Sequence, residues 1–510
     1  MKSLLFRAKQ GIAIFSLIKN LSYLDYLLFF LILSAILLRL VNLDYNSAFN
    51  DEAIYIVIGR MGLFASDWLS YGAKLWMAGL PYIYPTISAL AFETAGIEGA
   101  RLLNVIFGII LIEEVYQLTL LLNLFDTKTN KIAATIALFL SGFSAAGIFV
   151  SKLATYDMLS FLLLICAITS FLKARHFNNG KYYFLTFISI FTSFLTKVVA
   201  GIYFAPLFLI SIFIIKNRSV KQKKLSIYYL YIPLIICMSV YGLLNSNNLL
   251  TFVTTHKDQG ITTNYLTIIQ IIIKTSGLSF LFLIPGSAIL IKYKKTKQVL
   301  GLIVLSMVIP VFHLVLRRYA TLDKHMYLSD IFLSVVIAYA VSLFFRKKIY
   351  RFLFKNRIIF IPYKIQLQKM ITSFVFFILA IFYVWHSALI SSQLEHQWKN
   401  TKEVGYFLSE RIHPGDKLLT ENGGAIILIL YDKLFPPTDI VTFDWINYSG
   451  ISSETAYEQA IKDGYFNYIE LDNEYEENEE FMLNLREAMI ENYQLIYSQN
   501  NFEIYEKKES

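Results

Sequence analysis

Two adjacent carboxylates, Asp51 and Glu52, follow the first long apolar run of the chain, which ends near Val41. An ionised carboxylate forced to the bilayer centre costs about 2.5–3.5 kcal/mol, so a pair beside lipid needs water, a cationic partner or a metal. After the pair, Ala53, Ile54, Val57 and Ile58 recur at helical spacing with Arg60 on another face. That pattern predicts a short amphipathic helix along the membrane surface. Lys152, Tyr156 and Asp157 cluster between two later apolar runs, and Lys197 stands between two more. Arg317, Arg318, Lys324 and His325 fill another such gap. A carboxylate can act as general base on a hydroxyl. Cations can stabilise a departing phosphate. At a membrane, that phosphate can be a lipid arriving sideways. The mix suits transfer of a sugar from a polyprenyl-phosphate carrier to an acceptor hydroxyl. Plainer readings stand beside this one. The acid pair caps the next helix, Asp157 caps the span beside it, and Lys197 snorkels to the interface. Lys324-His325 is a hydrated loop, and Tyr82 and Tyr84 are belt residues.

What must position these residues is a membrane bundle. The chain is 56% hydrophobic and 16% charged, with mean hydropathy +0.53, more apolar surface than a soluble domain can bury. The net charge of +9 is not a nucleic-acid signature. Of 46 Lys/Arg, 37 precede residue 391, whereas 23 of the 37 Asp/Glu follow it. A window of about 19 residues predicts about eleven spans. They lie near 24–42, 101–122, 132–150, 156–173, 182–196, 198–215, 226–245, 265–291, 299–316, 328–345 and 370–390. Basic clusters fall at Lys2/Arg7/Lys9/Lys19, Lys173/Arg175/Lys181, Lys216–Lys224, Lys292–Lys297 and Arg346–Lys369. With the N-terminus cytoplasmic, all of them are inside, as the positive-inside rule requires. No cleavage site follows the first basic cluster, so the first span reads as an anchor. The same alternation puts 43–100, 151–155, Lys197, 246–264, 317–327 and the tail outside, so the polar candidates converge on one face. The first outer loop predicts two interfacial helices, the second over 86–97 and carrying Glu93, on either side of the turn-rich run Gly79–Pro85.

The domain expectation is a membrane domain over 1–390 and a soluble α/β domain over 391–510. In the tail, Lys402–Ile412 reads as a helix stopped by His413-Pro414-Gly415-Asp416. Lys417–Thr420 and Tyr468–Leu471 read as strands. Tyr493–Ser498 and Asn501–Tyr505 read as a hairpin about Gln499-Asn500. The acidic run Glu470–Glu480 reads as a solvated loop. Cys166 and Cys237 lie in apolar runs and read as packing residues. Glu113 and Glu114, deep in the second span, call for a helix-to-helix partner or a proton. No phosphate-binding glycine loop is present, which argues against direct use of ATP or a nucleotide sugar.

Several segments resemble the GT-C superfamily of integral membrane glycosyltransferases. The likeness is to bacterial relatives of protein O-mannosyltransferases and of the transferase that adds aminoarabinose to lipid A. It is carried by Phe49-Asn50-Asp51-Glu52-Ala53-Ile54-Tyr55, by Pro81-Tyr82-Ile83-Tyr84-Pro85 with Gly99-Ala100-Arg101-Leu102, by Ala154-Thr155-Tyr156-Asp157-Met158-Leu159, and by Leu195-Thr196-Lys197. A looser piece is Lys324-His325-Met326-Tyr327-Leu328. The resemblance implies an inverting hexosyl- or pentosyltransferase of the bacterial inner membrane, with a polyprenyl-phosphate sugar as donor and the α/β tail outside. It implies Asp51 as base, assisted by Glu52 and Asp157. Lys197, Arg317, Arg318, Lys324 and His325 would hold the donor phosphate, and Tyr55, Tyr82, Tyr84 and Tyr156 would line the pocket. Some relatives bind a divalent metal and others do not, and no ligand set is clear here. Acceptors in the family range over protein, lipid A and envelope polysaccharide. A second reading, a transporter or flippase of a lipid-linked sugar, also suits charged bundle-facing residues. It finds no inverted repeat and an odd number of spans.

Overall fold

The structure is a computed structural model. It describes residues 23–68, 83–251, 264–344, 362–434, 439–442, 446, 448–451, 454–472 and 479–509. The N-terminal basic cluster, Tyr82 with most of the Gly79–Pro85 turn, and the basic stretch through residue 361 lie outside them.

In chain order the residues before the tail form α1 (Tyr23–Leu40), α2 (Asn50–Phe64), α3 (Ile83–Leu122), α4 (Thr127–Gly142), α5 (Ala145–Lys152), α6 (Asp157–Phe177) and α7 (Gly180–Thr196). A 3-10 turn (Val198–Tyr203) leads into α8 (Phe204–Lys216). Next come α9 (Val220–Ser226), a π turn (Ile227–Tyr231), α10 (Ile232–Leu244), α11 (Tyr265–Lys292), α12 (Thr296–Leu316), α13 (Leu322–Phe344) and α14 (Pro362–Glu395). The tail adds α15 (Lys402–Arg411), β1 (Leu418–Thr420), α16 (Gly423–Leu430), β2 (Ile440–Val441), α17 (Glu454–Lys462), β3 (Tyr468–Asp472), α18 (Glu479–Met489), β4 (Tyr493–Gln499) and β5 (Phe502–Lys507). All eleven expected spans fall on helix. Among the described residues eight helices are long and apolar enough to cross a membrane, nine if the bent pair α4–α5 is one span.

The described residues form two compact units. The first comprises 23–43 and 101–394. Its axis is α13, whose apolar window is 94% buried, against 17% for the span that contains α8. The expected single span over 132–150 is instead broken, with α4 and α5 bent by 59°. Ser144 caps α5 by accepting from the Gly147 amide. The carbonyl of Gly142 at the break accepts from buried Arg39 Nη1 at 2.7 Å. A freed carbonyl away from water is tolerated in a bundle only where such a partner reaches it. Glu114 finds the partner its depth demands, accepting from Thr169 Oγ1 of α6 at 2.6 Å.

The second unit comprises 44–68, 83–100 and the chain from 395 onward. Its sheet has the order β2-β1-β3-β5-β4, parallel among the first three and antiparallel from β3 to β5 to β4. The hairpin turn lies on Asn500-Asn501, one residue later than expected, and both residues have positive φ, as a two-residue loop requires. α17 and α18 pack Ala460, Ile461 and Leu485 on Ile469 and Leu471. The expected solvated acidic run begins buried. Glu470 is fully buried in β3, accepting from Thr420 Oγ1 at 2.6 Å, from the Asn422 side chain at 3.0 Å and from the Glu421 amide at 3.1 Å. Asp472 pairs with Lys399. The strand takes in the first three residues, Glu470 to Asp472, of what composition alone reads as loop.

Helix α2 also departs from expectation. Residues Glu52–Gly62 are buried on every face, so it is a core helix of this unit and not a surface helix with one wet side. It lies against α16, where Gly424 abuts Asn50 and Ala53. The second loop helix runs on into the following span, with helical geometry lost only at Ala95-Gly96, where Gly96 takes φ +59°. Arg60 holds these pieces together. It pairs with Glu93 at 2.5 Å and Asp432 at 3.4 Å, and its guanidinium lies 3.3 Å over the Tyr431 ring.

Candidate functional site

In the first unit, the short turn between α5 and α6 places Asp157 at the N-terminus of α6, where the helix dipole favours an anion. Asn104 of α3 pins that turn by donating to the carbonyls of Leu153 and Thr155. Lys197 ends α7, its amide bonded to the Ser193 carbonyl, and the 3-10 turn that follows redirects the chain. α6 and α7 are joined by Ser160 and Ser193, whose hydroxyls each donate to the other's carbonyl. The result is an ion pair between Lys197 Nζ and Asp157 Oδ1, with the two side chains 6% and 1% exposed. Thr155 Oγ1 donates to the other carboxylate oxygen at 2.9 Å. The ammonium also lies 4.7 Å over the Tyr156 ring.

The pair extends into a relay. Lys197 Nζ is 2.6 Å from His325 Nε2, His325 Nδ1 is 3.0 Å from His313 Nε2, and His313 Nδ1 is 2.8 Å from the Arg318 carbonyl. A carbonyl only accepts, so His313 Nδ1 carries hydrogen. If His313 also carried one on Nε2, His325 Nδ1 would have to accept. His325 Nε2–H would then face the ammonium, donor against donor. Both rings are therefore neutral, each with its hydrogen on Nδ1, and His325 Nε2 accepts from Lys197. The network gives Lys197 one anionic and one neutral acceptor in a fixed position. A cavity of about 10 Å³ beside Lys197 and His325 has room for roughly one water.

No protein-family model matches the sequence, and no curated protein does. Solved structures do match. ArnT from Cupriavidus metallidurans bound to undecaprenyl phosphate aligns with a TM-score of 0.60 at 11% identity, over 95% of this chain and 98% of that one. Its apo state gives 0.61 at 13% identity. The archaeal oligosaccharyltransferase AglB from Archaeoglobus fulgidus, in complex with an inhibitory peptide and a dolichol-phosphate, gives 0.53 at 13%, over 96% of this chain and 75% of that one. The fold is GT-C.

Within the GT-C fold, the first unit brings together Asp157, Lys197, His325 and Tyr156. Lys324 is buried beside them, close enough for its charge to act on Asp157. The expected loop over 317–327 is corrected here: α13 begins at Leu322, so Lys324 and His325 are buried helical residues, not loop residues. Arg317 closes α12 with φ +53° and lies 4.8 Å over the Tyr265 ring, while Arg318 serves the relay through its carbonyl. In the second unit, Asp51 is half-buried in the first turn of α2. Glu52 is fully buried and accepts from the Phe49 amide at 2.8 Å, the capping role of the plainer reading. Tyr55 and Tyr84 meet edge to face at 6.0 Å, and Tyr82 lies outside the described residues. Among the described residues no group of three or more His, Cys, Asp and Glu is placed to hold a metal ion. His313 and Asn104 are the residues sequence reasoning missed. Each is a lone polar side chain inside an apolar run, and that isolation is the signal that could have found them.

Proposed function

We propose that the protein is a membrane glycosyltransferase that moves a sugar from a polyprenyl-phosphate donor to an acceptor hydroxyl on a lipid, a glycan or a protein. The observation that carries the reading is the buried Asp157–Lys197–His325–His313 relay on a GT-C fold. Lys197, with Lys324 and the Arg317-Arg318 pair as further cations, meets the phosphate oxygens, and Asp157 and His325 position its ammonium. Asp51 takes the proton from the acceptor hydroxyl. The freed oxygen attacks the anomeric carbon from the face opposite the phosphate, so configuration inverts. The bond between that carbon and the phosphate oxygen breaks, and polyprenyl phosphate leaves with its negative charge stabilised by the cations. Structural neighbours solved with undecaprenyl phosphate and with a dolichol-phosphate support the donor class. The loop-charge bias supports a cytoplasmic N-terminus and a reaction on the outer face.

Asp51→Asn keeps the size and removes the base. Transfer by the purified variant is expected to fall by about 10²–10⁴-fold with the melting temperature unchanged. Full activity in that variant removes Asp51 from the role.

A further inference from the structure

Away from the relay, the first unit holds a cavity of about 1460 Å³, walled by α6, α7, α8, α10 and α12. Its body is apolar, and its mouth is not. Arg175 near the end of α6, Lys216 at the end of α8, Arg218 just beyond, and Lys295 and Lys297 at the start of α12 all line it, and no Asp or Glu does. Among the described residues none of these five cations has a carboxylate partner. Arg175 and Arg218 stand close enough to repel each other, and both are half-buried. The positive-inside bias accounts for lysines exposed in loops. It does not account for two guanidiniums drawn half-buried to the wall of one cavity against their own repulsion. Arg175 also lies 18 residues along α6 from Asp157, about 27 Å at helical rise, so this mouth is at the opposite end of the bundle from Lys197.

We propose that this cavity is a second lipid site, which seats an anionic phospholipid of the bilayer with its phosphate among Arg175, Arg218, Lys216, Lys295 and Lys297 and its acyl chains in the apolar body. Guanidinium forks match phosphate oxygens in pairs. Basic pockets between membrane helices at the cytoplasmic level are where anionic headgroups bind. The hydroxyls of Ser211 and Tyr231, 2.7 Å apart on walls of the same cavity, add polar contacts below the charged mouth.

The test is native mass spectrometry of the purified full chain exchanged into mixtures of phosphatidylglycerol and phosphatidylcholine, with and without polyprenyl phosphate. Phosphatidylglycerol is expected to be retained in preference to phosphatidylcholine. The double variant Arg175→Gln/Arg218→Gln is expected to lower its retention by about tenfold or more. Arg175→Lys/Arg218→Lys keeps the charge without the forks and is expected to bind between the wild type and the Gln variant, which separates lost recognition from lost folding. Equal retention of the two lipids, or unchanged retention in the Gln variant, overturns the proposal. So does displacement of phosphatidylglycerol by polyprenyl phosphate in the wild type but not in the Gln variant, because the occupant is then the carrier lipid.

Discussion

Lys197 sits where an ammonium has every reason to be elsewhere, buried at the end of a bundle, and it stays because Asp157 and His325 both accept from it. His313 sets that arrangement from one residue further back by fixing the tautomer of His325. His313→Ala leaves His325 Nδ1 without its acceptor and frees the ring to turn. Transfer is expected to fall about tenfold, the scale of one lost buried hydrogen bond. His313→Gln can still accept from His325 and donate to the Arg318 carbonyl, so it is expected to recover most of the rate. Steady-state kinetics on the two variants read this out, and equal loss in both means that His313 only packs. Asp157, Lys197 and His325 were legible in the sequence because ionisable residues beside apolar runs are costly unless they serve something. His313 was not, since a histidine between Phe312 and Leu314 reads as a satisfied core residue until its partners are seen.

Secondary structure was legible wherever a period ran unbroken. α15 and β1, β3, β4 and β5 fall within a residue or two of their expected bounds, because alternation and turn residues mark both ends. The start of α13 was missed by six residues because Lys324 and His325 look like loop residues, and only a partner such as Asp157 makes them tolerable in a helix. The burial of α2 was hidden for the opposite reason. Its sequence fits an interfacial helix, and what covers its polar side, α16 and Glu93, is distant in the chain or across a turn. α2 also meets the start of α3 at Gly59, where an added Cβ would stand inside van der Waals distance of the Pro85 carbonyl oxygen and close on the Ala89 methyl. Backbone cannot swing away as a side chain can, so Gly59→Ala is expected to destabilise by about 1–3 kcal/mol. Hydrogen exchange over 50–64 checks it. Unchanged protection would mean that the two helices separate without strain.

At the scale of the molecule, the charge division between the first 390 residues and the tail was visible from composition. The share of the first outer loop in the second unit was not, because nothing local in 44–100 announces contacts with residues 350 positions away. Asn46 Nδ2 bonds the Trp398 carbonyl at 2.9 Å, and Trp398 Nε1 bonds the Ser47 carbonyl at 3.1 Å. Such contacts make the unit's stability depend on segments far apart in the chain. Its buried acids give that stability a pH dependence. Burial, with the charges of Glu470 and Asp472 beside it, pushes the Glu421 carboxyl up to about 7, and burial raises Glu470 as well. A carboxyl raised on folding binds its proton more tightly in the folded state, so stability falls as pH rises from about 4.5 through 7. Hydrogen exchange of β1 and β3 in the full chain is expected to show a loss on the order of 1–3 kcal/mol between pH 5 and 8. Glu421→Gln is expected to flatten it, and an opposite slope contradicts the buried arrangement.

The central claim is that the bond between the donor sugar's anomeric carbon and the lipid phosphate breaks beside Lys197. The direct measurement is release of polyprenyl phosphate from a labelled polyprenyl-phosphate sugar by the purified protein with a hydroxyl acceptor, in wild type and in Lys197→Ala. The account predicts release by the wild type and a rise in donor KM of about tenfold or more in the variant, with acceptor KM little changed. Movement of intact donor across a vesicle membrane with no polyprenyl phosphate released would contradict it.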